Sequence, residues 1–247
     1  MKLVGKTDDL ANPLKDLPGG ADALIKSATC ALVTHPHPDH LDKDGVKFLR
    51  DNKLKVYCSG HDEADLRGRG LDAHEVTDGD LGMRIEAVPA QHGYGPQAWI
   101  MGPGVGYYLA ADGEPSLYIT GDTVLTSDVR DAVKRLKPSI VVAPAGSANV
   151  GFGYDILFSQ EELIELGKLV PDQIVYNHIE ALDHCPTTRD GLLERLQKNG
   201  LADRSHVPAD GDVLVFDEYA NASYKDVEVK KVSMRPGVQK FVASLLG

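Results

Sequence analysis

Thr34-His35-Pro36-His37-Pro38-Asp39-His40-Leu41 is the stretch on which the fold of this chain turns. It places three imidazoles and a carboxylate within six positions, directly after the apolar run Cys30-Ala31-Leu32-Val33. A run of that kind leads out of a buried strand into a tight loop. Neutral imidazole nitrogen and carboxylate oxygen are donors that zinc, manganese and iron accept. The two prolines fix φ locally and keep the segment out of a helix. The donors are therefore free to point in different directions, as two adjacent cations require. The plainer alternative is a polar surface loop. It fits poorly, because the chain holds nine His in all and three of them crowd beside this one Asp.

Short apolar, β-branched runs recur on both sides of the loop. Ala28–Val33, Lys55–Cys58, Arg84–Pro89, Val105–Ala110, Ser116–Thr120, Ile140–Ala143, Ile174–Tyr176 and Val213–Phe216 each read as a strand. Helical patterns separate several of them. Asp42–Asn52 sets Val46, Phe48 and Leu49 on an inner face, and Thr126–Leu136 sets Val129, Val133 and Leu136 on another. Ser159-Gln160-Glu161-Glu162 is a capping box that opens a helix carrying Leu163, Leu166 and Leu169. Thr187–Asn199 carries Leu192, Leu193 and Leu196 and stops at Gly200. The mixture predicts a layered α/β architecture. Between Arg84 and Thr120 the pattern is strand-rich with Gly/Pro turns, which suits an antiparallel meander.

A loop with four donors serving two cations needs further ligands, and these are expected just after strands. His92 ends Val88-Pro89-Ala90-Gln91 and opens a Gly-rich loop; its alternative is a turn histidine. Asp122 follows Leu117-Tyr118-Ile119-Thr120-Gly121, where its two oxygens suit a bridging role; its alternative is a helix cap. His178 follows Gln173-Ile174-Val175-Tyr176-Asn177, and His184 comes six residues later. One of this last pair is expected to ligate. His178 is preferred because it follows the strand directly, leaving His184 as a substrate-facing or supporting group. Glu180 and Asp183 are candidates for orienting ligating imidazoles, with solvated charges as the alternative. His61, His74 and His206 read as surface residues. Arg189 reads as a solvated first-turn residue of the following helix rather than an anion site.

The bulk composition narrows the function. The 247 residues fit a single domain, 1–247, with a sizeable core. Lys and Arg total 26 against 37 Asp and Glu, a net charge of −11. That balance opposes a nucleic-acid backbone or an anionic membrane as partner. A small-molecule substrate is expected instead. Three cysteines without a CxxC pair predict reduced thiols and a cytoplasmic setting, with Cys30 and Cys58 as small core residues. No apolar stretch approaches the ~20 residues of a membrane span.

The ordered set His35-x-His37-x-Asp39-His40, then His92, Asp122 and His178, resembles the metallo-β-lactamase fold hydrolases. The resemblance runs from about Asn12 to Gly211. It is strongest to the branch that contains L-ascorbate-6-phosphate lactonase and N-acyl-phosphatidylethanolamine phospholipase D. The features shared with that branch are Asn12-Pro13-Leu14, the Tyr118–Thr123 run and a final His at a strand end. The resemblance implies a four-layer αββα sandwich of two mixed sheets. It implies one metal site from His35, His37 and His92, and a second from Asp39, His40 and His178, with Asp122 bridging. Two divalent ions are implied, zinc foremost, with manganese or iron as alternatives. The implied activity is hydrolysis of a lactone, carboxylic ester or phosphodiester. Asp39 and Asp122 would orient the nucleophile, and His184 would hold substrate or protonate the leaving group. Only 34 residues precede His35, so the usual first hairpin is expected to be shortened, leaving a sheet edge that a second copy of the chain could cover. Tyr219–Gly247 ends in an apolar helical pattern with Val238, Phe241, Val242 and Leu245. Two other function classes compete. One is a di-iron oxidoreductase on the same scaffold, whose relatives append an electron-carrier domain for which this chain has no room. The other is a non-catalytic metal-binding protein, which would have lost a ligand.

Overall fold

The computed structural model describes residues 12–149, 151, 153–217 and 222–225. In chain order the elements begin with helix α1 (Ala21–Ser27), strand β1 (Cys30–Leu32), helix α2 (Lys43–Asp51), β2 (Lys55–Cys58), α3 (Glu63–Gly68) and β3 (Asp72–Glu75). There follow β4 (Arg84–Gln91), α4 (Pro96–Met101), β5 (Pro103–Ala110), β6 (Leu117–Ile119), α5 (Ser127–Leu136) and β7 (Ile140–Pro144). The last are α6 (Gln160–Leu169), β8 (Gln173–Asn177), α7 (Arg189–Lys198), β9 (Ser205–His206), β10 (Val213–Phe216) and β11 (Ala222–Lys225). The helix starts follow side-chain caps: Asp42, Thr126, Ser159 and Thr188 each accept from a backbone N–H three residues on, and Ser159 with Glu162 closes the expected capping box.

Two sheets carry the molecule. The first runs β1-β2-β3 and the second β4-β5-β6-β7-β8-β9, with β10 and β11 forming a separate hairpin. In the six-stranded sheet, β4, β5 and β6 are antiparallel, as the Arg84–Thr120 pattern predicts, and β6 to β9 are parallel. The three-stranded sheet is wholly parallel rather than mixed. The reason is connectivity: α2 and α3 cross between its strands, and a helical crossover returns the chain in the same direction.

The layering follows from side-chain alternation along the strands. In the six-stranded sheet Tyr107, Leu109, Ile119, Ile140, Val142 and Val175 face the other sheet. Their neighbours Tyr108, Tyr118, Val141, Ala143, Ile174 and Tyr176 face the other way and pack with Val129 and Val133 of α5, Leu163 and Leu166 of α6 and Leu192 and Leu196 of α7. In the smaller sheet Val56, Cys58 and Ala73 pack with Leu49 of α2 and Leu66 of α3, while Leu32 joins the layer between the sheets. The result is helices, sheet, sheet, helices. Leu214 and Phe216 of β10 also pack onto the inter-sheet layer.

Six short elements have no counterpart in the sequence reading: α1, α3, α4, β3, β9 and β11. In β3, Asp72-Ala73-His74-Glu75 offers one apolar residue, Ala73, and lies at a sheet edge, where charged side chains are tolerated. Among the described residues β1 is the opposite edge of that sheet. The apolar pattern of Val238–Leu245 lies outside the described residues.

Candidate metal centre

The donor-bearing segments all leave strand ends. Strand β1 is continued by a bond from the Val33 N–H to the Tyr57 carbonyl, and the chain then turns sharply, with the His40 and Leu41 amides both donating to the His37 carbonyl. This turn explains how one loop can aim His35, His37, Asp39 and His40 inward. Strand β4 ends next to His92 and β8 next to His178, and β6 ends three residues before Asp122. Two positions show what the convergence demands of the backbone. Gly121 has φ +65°, and a Cβ there would sit 2.6 Å from the Val105 carbonyl oxygen. His178 itself has φ +56°, a left-handed conformation that a side chain occupies at a cost of about 1–3 kcal/mol.

These seven residues form two adjoining groups. His35, His37 and His92 make one; Asp39, His40, Asp122 and His178 make the other, and within each group the donor atoms lie within 4.8 Å of one another. Asp122 Oδ2 stands between the two groups. It is 3.1 Å from His40 Nε2, 3.4 Å from His92 Nε2, 3.7 Å from His178 Nε2 and 3.8 Å from His35 Nε2. Asp39 Oδ2 is 3.7 Å from both His40 Nε2 and His178 Nε2.

The outer ring nitrogens of His37, His92 and His178 are engaged by other atoms. His37 Nε2 lies 2.9 Å from the Met101 carbonyl oxygen, and His92 Nδ1 lies 2.7 Å from that of Ile156. Each ring therefore donates to a carbonyl and presents its other nitrogen as a lone pair. His178 Nδ1 is 3.5 Å from Cys185 Sγ. His35 is decisive for fit: Nδ1 meets Thr34 Oγ1 at 3.1 Å, but the buried Nε2 has no hydrogen-bond partner. A buried ring nitrogen without a partner is costly, and a cation would relieve that cost by taking its lone pair.

The electrostatics agree with a cation site. Burial drives His35 down to about 3, against the pull of Asp122, and burial also lowers His92. Burial opposes a charge on His40 and His178 as well, yet Asp122 prevails and raises both. Asp122 is pushed up by burial, but His40 and His178 hold it well below the usual carboxylate range. Asp39 follows the same pattern: burial raises it, while its hydrogen bond with His178 and the charge of His40 bring it below that range. Both carboxylates, the buried Asp122 and the more exposed Asp39, thus stay ionised, and protons on neighbouring imidazoles supply the positive charge that divalent cations would otherwise bring.

The other sequence candidates are placed as follows. His184 lies outside both donor groups, with Nδ1 3.3 Å from Asp183 Oδ1. Its neighbour Cys185 touches His178, so the 183–185 turn borders the centre. Glu180 and Asp183 do not orient ligating imidazoles, since the ring partners named above are other atoms. Glu180 receives the Arg189 amide and guanidinium and Lys15, and Asp183 receives Asn12, whose own Oδ1 accepts from the Asp183 N–H. Arg189 is neither solvated nor available to an anion, because Glu180, Asp210 and the Pro208 carbonyl occupy it. His61 is exposed and His74 meets Asp72 at 2.8 Å. His206 is half-buried in β9 against Gln173 and Phe216 rather than on the surface. Met101, Ile156 and Cys185 support the ring nitrogens, and sequence reasoning missed them. Two act through backbone carbonyls, which carry no residue signature, though Pro96 at the start of α4 and Gly102 at its end marked the short helix that presents Met101.

Comparison with known proteins places this architecture. A profile for the beta-lactamase superfamily domain matches residues 8–179. The chain belongs to the beta-lactamase superfamily. Within the superfamily it is 28% identical over 215 residues to the UPF0173 protein YddR of Bacillus subtilis (strain 168), covering 84% of each chain. A UPF0173 metal-dependent hydrolase of Koribacter versatilis (strain Ellin345) is 29% identical over 131 residues, 49% of this chain and 56% of that protein. Among solved structures, the isothiocyanate hydrolase from Delia radicum gut bacteria is similar at TM-score 0.77 and 27% identity, covering 86% of this chain and 85% of that one. A possible metal-dependent hydrolase from Veillonella parvula DSM 2008 is similar at TM-score 0.75 and 26% identity, covering 82% and 81%.

Proposed function

We propose that this chain is a dinuclear metal-dependent hydrolase that opens an ester-type bond, in a lactone or carboxylic ester, of a small and weakly charged substrate. The observation that carries this reading is the convergence of seven donor side chains from four separate strand ends, with the imidazoles of His35, His40, His92 and His178 all within 3.8 Å of Asp122 Oδ2. His35, His37 and His92 would hold one divalent ion, and Asp39, His40 and His178 the other, with Asp122 shared. Zinc is the proposed occupant, and manganese and iron suit the same imidazole and carboxylate donors. When bound, such a pair supplies Lewis-acid chemistry that makes water nucleophilic near neutral pH and offsets developing negative charge.

The protein's own groups do the positioning. The Met101 and Ile156 carbonyls fix which nitrogen His37 and His92 present. Asp39 and Asp122, held ionised, accept hydrogen bonds and orient the attacking water. His184, on the turn beside His178, holds the substrate or returns a proton to the leaving group. A phosphodiester is less favoured than a lactone or carboxylic ester, because Arg189 is already saturated by Glu180 and Asp210 and the chain carries a net charge of −11.

The likeness to the isothiocyanate hydrolase favours a second reading, in which the electrophile is the electron-poor carbon of an isothiocyanate. Both readings use the same centre and differ in the bond attacked. The test is a panel of lactones, carboxylic esters, phosphodiesters and isothiocyanates, assayed with metal-replete protein and with the Asp122→Ala variant. Turnover of a lactone or ester that is lost in the variant is expected. Turnover confined to isothiocyanates would select the second reading. Inertness across all four classes with two ions bound would leave a non-catalytic metal-binding protein.

A further inference from the structure

Two of the three imidazoles in the His35–His37–His92 group are aligned by backbone carbonyls from different parts of the chain. Met101 ends α4, and Ile156 lies more than fifty residues later in the 153–157 segment. Nothing in chain connectivity keeps these two segments in register. Gln97 does. It lies on α4, whose residues Trp99 and Ile100 are exposed, yet Gln97 itself is buried. Its side chain bridges to the backbone of Tyr154 in both directions. Gln97 Nε2 donates to the Tyr154 carbonyl at 3.0 Å, and the Tyr154 N–H donates to Gln97 Oε1 at 2.9 Å. The fit is close: a Cβ on Gly153 would sit 2.6 Å from Gln97 Oε1.

We infer that Gln97 is a positioning residue for one half of the metal centre: it pins α4 to the 153–157 segment so that Met101 and Ile156 hold His37 and His92 in complementary tautomers. His37 keeps its proton on Nε2 and His92 on Nδ1. In the second group the outer ring nitrogen of His178 is held by Cys185 instead. Loss of the pin therefore loosens one site and spares the other. This inference rests on the two-ion reading given above.

Cobalt(II) titration of the metal-free protein tests it, followed by absorption spectroscopy and by imidazole ¹⁵N NMR. Wild type is expected to take up two ions. Gln97→Met keeps the length of the side chain and removes both hydrogen bonds. It is expected to bind one ion as wild type does and the other about 10–100-fold more weakly, with the His37 and His92 nitrogen signals shifted and those of His178 unchanged. Gln97→Glu keeps the acceptor for the Tyr154 amide and should recover part of the loss. Should Gln97→Met fail to fold, the comparison of Gln97→Glu with wild type decides in its place. Equal weakening of both ions, no weakening, or a selective shift at His178 would each overturn the inference. Fewer than two ions in wild type would instead refute the dinuclear reading on which it stands.

Discussion

The two sheets serve the centre in different ways. The three-stranded parallel sheet sends out one loop that carries four donors, His35, His37, Asp39 and His40. The six-stranded sheet contributes three donors, one beyond each of β4, β6 and β8. The first set is local: eight consecutive residues and two prolines settle it. The second set depends on the register of strands that are far apart in sequence and on how one sheet docks against the other. Donor identity is therefore robust on one side, and donor placement is the vulnerable quantity on the other.

Substitution of Asp122 should break this comparison most severely, because its carboxylate oxygen faces imidazoles from both sheets. Losing even an outer support of a metal site costs about 10–100-fold in affinity or activity, so Asp122→Ala is expected to lower activity by more than about a hundredfold. Steady-state kinetics alongside metal analysis would check this; near wild-type turnover would remove Asp122 from the centre.

Gly121→Ala ranks next. The new methyl would collide with the Val105 carbonyl and force a left-handed φ on alanine. A loss of about 2 kcal/mol or more in urea unfolding is expected, with weakened metal binding because Asp122 moves with it. Unaltered stability would show that the strand ends tolerate displacement.

The same contrast governs what could be read from sequence. A layered α/β arrangement was legible from the alternation of strand and helix patterns, whereas the helix–sheet–sheet–helix order came from the family resemblance carried by the donor motif. The His35–His40 loop was legible because its donors are contiguous. His92, Asp122 and His178 were found only by asking which His and Asp follow apolar strands. The supports were not legible. Met101 and Ile156 act through carbonyls that every residue has, and Gln97 matters only because Tyr154 lies against it. Arg189 looked solvated because its partners Glu180 and Asp210 stand 9 and 21 positions away. The parallel pairing of β3 was hidden by a run with one apolar residue.

Smaller effects sharpen the comparison at the joint between the sheets. The buried Tyr107 hydroxyl of β5 donates to the Val33 carbonyl at 2.9 Å, just before the donor loop. Tyr107→Phe should cost about 1 kcal/mol, with a decline in activity milder than that of Gly121→Ala. Thermal unfolding and kcat would report it, and a larger activity loss than for Gly121→Ala would mean that the sheet–sheet joint outweighs the strand ends. Smallest of all in activity is Arg189→Ala, which belongs to neither donor group. A stability loss of about 1–3 kcal/mol is expected, because three acceptors, two of them in part-buried bonds, lose their donor, with KM unchanged; a raised KM for an anionic substrate would restore Arg189 as a binding residue.

Metal content of protein purified without chelator, measured by plasma mass spectrometry for wild type and Asp122→Ala, tests the central claim most directly. The account predicts two divalent ions per wild-type chain and depletion of both in the variant. One ion or none in wild type, or two retained in Asp122→Ala, would contradict it.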